Sequence, residues 1–182
     1  MHETGIPLAN TDLTAPFLLG VEQCVASLSP FLAIGLLMSI FIDIKKLLFI
    51  AVKDRKHSYH TPVFSNLTES KTTQSRIVVL RKFDETNLTL NFHTDFRSPK
   101  IKELKKNDNT SFLFYDSKIK IQLRINTISN INNKNKITED AWKNTNLSSR
   151  KCYLTKKIPS SVTNIAEDGI PEHLQGIDPL KS

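Results

Sequence analysis

A chain of 182 residues with 39% hydrophobic and 24% charged residues has the composition of a globular protein with a sizeable core, which excludes wholesale disorder. Its formal charge of +7 leaves nucleic acid, an anionic membrane or a phosphorylated small ligand as partners. Two distant cysteines, Cys24 and Cys152, have no metal-ligand spacing; a disulfide framework or zinc site is excluded, and each is expected as a small buried hydrophobe in a reduced compartment.

Residues 1–44 contain no Lys or Arg, and Gln23 to Ile42 is an uncharged run of 20 residues followed by Asp43, Lys45 and Lys46. That length and its basic flank make a membrane anchor through residues 17–42 one reading, with a buried hydrophobic leader over 1–43 as the other. No basic segment precedes the run, so a cleaved signal peptide fits poorly. From Ile44 the pattern changes. Ile44, Leu47, Leu48, Ala51 and Val52 recur at helical spacing and predict a core-facing helix. Asp54, Arg55, Lys56 and His57 close it. His57 and His60 read as loop residues, because no third ligand lies at a metal-binding spacing.

Strand patterns follow. Thr61–Leu67, Gln74–Lys82 and Leu88–Thr94 are predicted strands, with polar turns at Thr68–Thr72 and Asp84–Asn87. Ser98-Pro99 has the form of an N-cap followed by proline at the first helical position, and Ile101 and Leu104 give that short helix a buried side. Thr110–Asp116 and Lys118–Ile131 are further strands. In the latter Ile119, Ile121, Leu123 and Ile125 alternate with Lys120, Gln122, Arg124 and Asn126, so the apolar set is expected to face the core. Short polar turns between strands predict an antiparallel meander or barrel, a β-rich α+β fold. Lys134–Lys136 reads as a loop, Thr138-Glu139-Asp140 opens a helix anchored by Trp142, and Ser148–Leu154 is a further helical piece. Residues 159–182 lose periodicity and read as an extended tail.

The chemistry concentrates in Ser75–Lys100. From Arg76 to Arg124 there are 11 Lys and Arg against 6 Asp and Glu, so +5 of the +7 lies there. Arg76, Arg81, His93, Thr94, Arg97, Ser98 and Lys100 crowd the ends of two strands and a helix start, a donor set suited to a phosphate dianion. Against this stands the plainer reading of a solvated basic surface, which suffices for Lys102, Lys105 and Lys106. Phe83, Phe92, Phe96 and Tyr115 have the chemistry to stack bases, but their strand positions favour core packing. No G-x-G-x-x-G, Walker, G-x-S-x-G or H-E-x-x-H motif is present.

A resemblance sharpens this. The ordered strings R-I-V-V-L-R from Arg76, L-N-F-H-T-D-F-R-S-P-K-I-K-E-L from Leu90, S-F-L-F-Y-D from Ser111, K-I-Q-L-R-I from Lys120, and S-S-R-K-C-Y-L from Ser148 resemble the pyridoxamine 5′-phosphate oxidase family, in its FMN-binding, oxidase-like branch. The likeness runs from about Leu47 to Pro159. It implies an antiparallel split β-barrel, homodimeric, with FMN at the subunit interface, and a domain at 44–158 between the leader (1–43) and the tail (159–182). It implies that Arg76, Ile77, Val78, Val79, Leu80 and Arg81 hold FMN through side chains and backbone. His93 and Thr94 would lie beside the flavin ring, Ser98 and Lys100 at its phosphate, and Gln122 would reach the flavin across the barrel. Arg81 and Ser149 would bind substrate. The tyrosine and arginine that grip the substrate phosphate in true oxidases fall at Ala141 and Thr145, and an arginine of the phosphate turn falls at Pro99. The family's C-terminal strands have no counterpart in 159–182. The expectation is therefore a cytoplasmic FMN flavoprotein, an oxidoreductase of unassigned substrate, with no catalytic residue assigned, no metal and no nucleic-acid partner. The alternative is a non-catalytic flavin- or haem-binding module, or a membrane-tethered form of either.

Overall fold

The computed structural model describes residues 8–14, 30–164 and 169–172. The first strand, β1, is Leu8–Thr14, inside the stretch read above as a leader. It has no period-two pattern of apolar residues, so nothing local signals a strand. Its pairing supplies the reason: it lies antiparallel between two other strands, with Asn10 opposite both His93 and Asn132. Helix α1 is Pro30–Lys53. It includes the amphipathic stripe but starts well before Ile44, since proline is tolerated in a first turn and the apolar residues after it do not interrupt a helix. Ile44, Leu48 and Ala51 are buried against the sheet. His60, in the single 3-10 turn Ser58–His60, donates from Nδ1 to the Ala51 carbonyl at 2.6 Å and ties the turn to α1.

The other strands are β2 (Val63–Leu67), β3 (Thr73–Ile77), β4 (Leu80–Asp84), β5 (Thr89–Asp95), β6 (Asn109–Asp116) and β7 (Ile121–Asn132). All pairs are antiparallel, in the order β3-β2-β6-β7-β1-β5-β4. The expected single strand Gln74–Lys82 is two strands. β3 and β4 form opposite edges of the sheet, joined only by Val78-Val79, where the Val78 N–H donates to the Pro62 carbonyl at 3.0 Å. A two-residue link between the edges requires the sheet to curl. The core agrees: Phe64 of β2 and Phe92 of β5 stand four steps apart in strand order, yet their ring centroids are 4.8 Å apart. Phe112, Phe114, Leu80, Leu123 and Ile125 fill the same interior. The fold is an antiparallel split β-barrel with flanking helices, as the resemblance implied.

Three hairpins, β2–β3, β4–β5 and β6–β7, each turn on a left-handed non-glycine residue: Lys71, Leu88 and Lys120. The last turn corrects the expected strand start. Asp116 Oδ1 accepts from the N–H groups of Lys118 and Ile119, so Lys118–Lys120 is turn and Ile119 and Ile121 are exposed; the core face of β7 begins at Leu123. Tyr115 is likewise exposed, on the outer face of β6. Helix α2 is Pro99–Lys106, burying Ile101 and Leu104. Helix α3 is Lys136–Asn144, started by a capping box between Asn135 and Thr138. It therefore opens two residues before the expected Thr138. Helix α4, Leu147–Arg150, runs into a 3-10 turn at Lys151–Tyr153. In that turn Tyr153 packs on Trp142, which leaves Cys152 exposed, against the expectation of a buried thiol; Cys24 lies outside the described residues. In the tail, the Lys156 N–H donates to the Gly169 carbonyl at 3.0 Å, and Pro171 is buried.

Candidate functional site: a buried cationic cluster beside a polar cavity

Strand parity explains why the cluster forms. On β3, Arg76 is opposite Phe64, and so shares the concave side of the sheet. On β5, Thr94 has the same parity as Phe92 and Leu90. The chain then turns at Asp95–Ser98 into α2, which brings Lys100 back over the end of β5. The Lys100 ammonium donates to Thr94 Oγ1 and Ser98 Oγ, both at 2.7 Å. Ser98 is the N-cap of α2, but its hydroxyl does not cap the helix; it is committed to Lys100. Arg76 donates from Nη1 to Asn66 Oδ1 and from Nη2 to Gln74 Oε1 at 2.8 Å, and Asn66 Nδ2 donates to Glu103 Oε2 at 2.8 Å. Five guanidinium donors are available and these bonds use two.

The electrostatics follow from burial. Lys100 is pushed down to about 8, first by burial and then by the Arg76 guanidinium; Asp95 and Glu103 pull the other way. Arg76 is also lowered by burial. Among the described residues neither Lys100 nor Arg76 has a carboxylate in ion-pair contact. Two neighbouring half-buried cations with no carboxylate in direct contact favour an anion between them. The donor set, one ammonium and a guanidinium with spare N–H groups beside two hydroxyls, fits a phosphate. Arg97 is not part of it. Its guanidinium grips Asp95 at 2.6 Å and the Thr155 carbonyl at 3.0 Å, clamping the segment after α4 onto the end of β5.

On the opposite face of β5 lies a cavity of about 610 Å³ between α1, the β4–β5 edge and α3. Lys53, Arg55, Leu80, Arg81, Asn91 and His93 line one side, and Ala141, Asn144 and Thr145 the other. Its floor is unsatisfied: buried Asn91 Oδ1 and His93 Nδ1 have no hydrogen-bond partner. Burial, with the Arg81 cation second, pushes His93 down to about 4, so the imidazole is neutral at physiological pH. Arg81 is hydrogen-bonded to Tyr153, whose hydroxyl is raised chiefly by burial.

The residues expected from sequence thus divide. Arg76, Thr94, Ser98 and Lys100 meet in the cationic cluster. Leu80, Arg81 and His93 meet on the cavity wall. Val78 and Val79 form the link between the sheet edges, while Ile77 points outward and is 71% exposed. Gln122 is exposed on the outer face of β7, opposite Tyr115, and joins neither group within one chain. Ser149 stands on α4, its N–H bonded to the carbonyl of Asn146, a cavity residue, but is not itself on the wall. Sequence reasoning missed Asn66, Gln74, Glu103 and Asn91. For Asn66 and Gln74 the signal was parity: both fall on the concave face, in register with each other, where apolar residues are expected.

Residues 44–132 match the family model described as pyridoxamine 5′-phosphate oxidase, FMN-binding domain. The likeness to that FMN-binding domain is confined to these residues. Among solved structures, a pyridoxamine 5′-phosphate oxidase-related, FMN-binding protein from Nostoc punctiforme is similar over 84% of this chain and 74% of its own, with a TM-score of 0.57 at 17% identity. No curated protein matches. Of the run 17–42 weighed as a membrane anchor, residues 17–29 lie outside the described residues. Among those described, no helix is long and apolar enough to cross a membrane.

Proposed function

We propose that the chain is an FMN-dependent oxidoreductase with the flavin phosphate in the Arg76–Thr94–Ser98–Lys100 cluster. The observation that carries this reading is the half-buried Lys100 ammonium, held by two hydroxyls beside Arg76 with no carboxylate in contact. When bound, FMN supplies the redox chemistry. The chain's own residues bind, orient and exclude water. Asn66, backed by Glu103, fixes the Arg76 guanidinium toward the phosphate. Backbone and side chains of Ile77–Arg81 run along the flavin, and His93 lies beside its ring. Arg81 serves the substrate at the cavity on the other face of β5, whose floor at Asn91 and His93 takes hydrogen bonds from it, and Ser149, off the wall, serves it only through its bond to Asn146. The domain extends over 44–158, with β1 contributing a strand from outside it, and the protein acts in the cytoplasm. Gln122 fits this reading only as a contribution to a second copy's flavin, because it lies on the outer face; a homodimer with FMN at the interface follows.

The test is direct. Purified protein is expected to show flavin absorption bands or to acquire them with added FMN, at one FMN per chain. A colourless protein that takes up no FMN would sink the reading. A second reading, a flavin-binding module without turnover, is favoured by Ala141 and Thr145, which leave the α3 wall of the cavity without a cation. Anaerobic reduction of the bound flavin by NAD(P)H, or turnover with oxygen and an amine or alcohol donor, separates the two: reduction supports the oxidoreductase, and a flavin inert to every donor supports the module.

A further inference from the structure

Helix α1 carries more apolar surface than the barrel uses. Ile44, Leu48 and Ala51 face the core. On another side Met38, Ile42 and Phe49 are 58%, 47% and 51% exposed. At about 100° per residue these three fall within roughly 40° of one another, so they form a single stripe along the helix. Scattered exposed apolar residues need no explanation; an aligned stripe does. Lysines border it on both edges, Lys45 on one and Lys46 and Lys53 on the other. The Lys45 ammonium lies 5.0 Å from the Phe41 ring centroid and that of Lys53 4.2 Å from Phe49. Each ammonium sits over an aromatic face, a cation at an apolar–polar boundary.

We propose that this face of α1 docks on an anionic lipid surface, with Met38, Ile42 and Phe49 in the acyl boundary and Lys45, Lys46 and Lys53 among the headgroups. The helix lies on the surface and does not cross it. Charge selects this occupant. From Asp43 to Lys56 there are five cations, Lys45, Lys46, Lys53, Arg55 and Lys56, against the two acids Asp43 and Asp54. Asp43 is already engaged by Lys46 at 3.3 Å, and Asp54 Oδ1 accepts from the Lys56 N–H at 2.8 Å. A second copy of α1 on the stripe would set lysines against lysines, whereas headgroup phosphates answer them. The inference is independent of the flavin reading.

The test is flotation of the full-length protein with vesicles of phosphatidylcholine and phosphatidylglycerol in equal parts, against vesicles of phosphatidylcholine alone. Binding to the mixed vesicles alone is expected, weakening as salt is raised. The Ile42→Glu/Phe49→Glu variant changes only exposed positions and is expected to lose about tenfold or more in vesicle affinity. Its melting temperature and circular dichroism check that it folds. Three results would each overturn the proposal. The first is failure of the folded parent chain to bind mixed vesicles at low salt. The second is binding undiminished in the variant, which would assign it to another basic surface. The third is an oligomer that dissociates in the variant without any vesicle binding, which would give the stripe to a second copy.

Discussion

Lys100→Met tests the central reasoning, because it is expected to cost far more in cofactor affinity than in stability. Burial and the neighbouring Arg76 lower Lys100 from the ordinary 10.5 to about 8. That difference corresponds to about 3 kcal/mol of unfavourable environment for the charged form in the ligand-free fold. Two charge-assisted hydrogen bonds to Thr94 and Ser98 return about 1.5–3 kcal/mol each. Methionine has a similar volume and no charge, so these contributions largely offset and the ligand-free variant should stay within about 2 kcal/mol of the parent. FMN affinity should fall, since removing one member of a buried charge pair costs about 2–5 kcal/mol. The assay pairs thermal unfolding with flavin-fluorescence titration, using both FMN and riboflavin. The parent should prefer FMN strongly, through its phosphate, and the variant should bind the two flavins almost equally. A variant that keeps the full preference for FMN would refute the placement of the phosphate. The pH dependence carries the same sign. Above about pH 8 the ligand-free Lys100 loses its proton while the phosphate complex holds it, so FMN affinity should decline as pH rises. Over the window from 8 to 10.5 the unfolded chain binds more protons than the fold, so this group makes the ligand-free protein more stable with rising pH.

Three further outcomes follow from other parts of the structure. His93, lowered to about 4 from 6.5, is neutral in the fold where the unfolded chain is protonated, so stability should be lost as pH falls from 6.5 toward 4, by up to about 3 kcal/mol; urea unfolding of the parent and of His93→Gln at pH 7 and 5 checks that the variant flattens this loss. Phe92→Ala removes a fully buried ring that touches Phe64 and Phe112 across the barrel, and should lower stability by about 3–5 kcal/mol in denaturant unfolding. Gln122→Ala should weaken FMN binding only where the protein is dimeric, measured by titration above and below the dissociation concentration; equal weakening in the monomer would show that Gln122 serves its own chain.

The strand over Thr110–Asp116, the amphipathic run ending in Val52 and the Ser98-Pro99 helix start were all legible, because period and cap chemistry are local properties of the chain. The ordered motif strings carried the fold and the cofactor class. What local pattern could not carry was the break at Val78-Val79, since apolar β-branched residues suit one long strand or two short ones equally. The polar turns at Thr68–Thr72 and Asp84–Asn87 were legible, but the turn before β7 was read as strand for a related reason: Lys120 adopts left-handed backbone without the glycine that usually announces it. β1 was invisible because its strand state comes from its two neighbours, β5 and β7, not from its own residues.

Residue types and spacing by themselves determined that a cationic and hydroxyl donor set existed and what anion would suit it. Only the curled sheet decided which members share a pocket. Parity on β3 and β5 set Arg76 and Thr94 on the concave side and His93 on the other, and a single alternation therefore separates the cationic cluster from the cavity. Arg97, one residue before the Ser98 N-cap, was lost to Asp95 for the same reason: side-chain direction is fixed by backbone geometry, and composition carries no record of it.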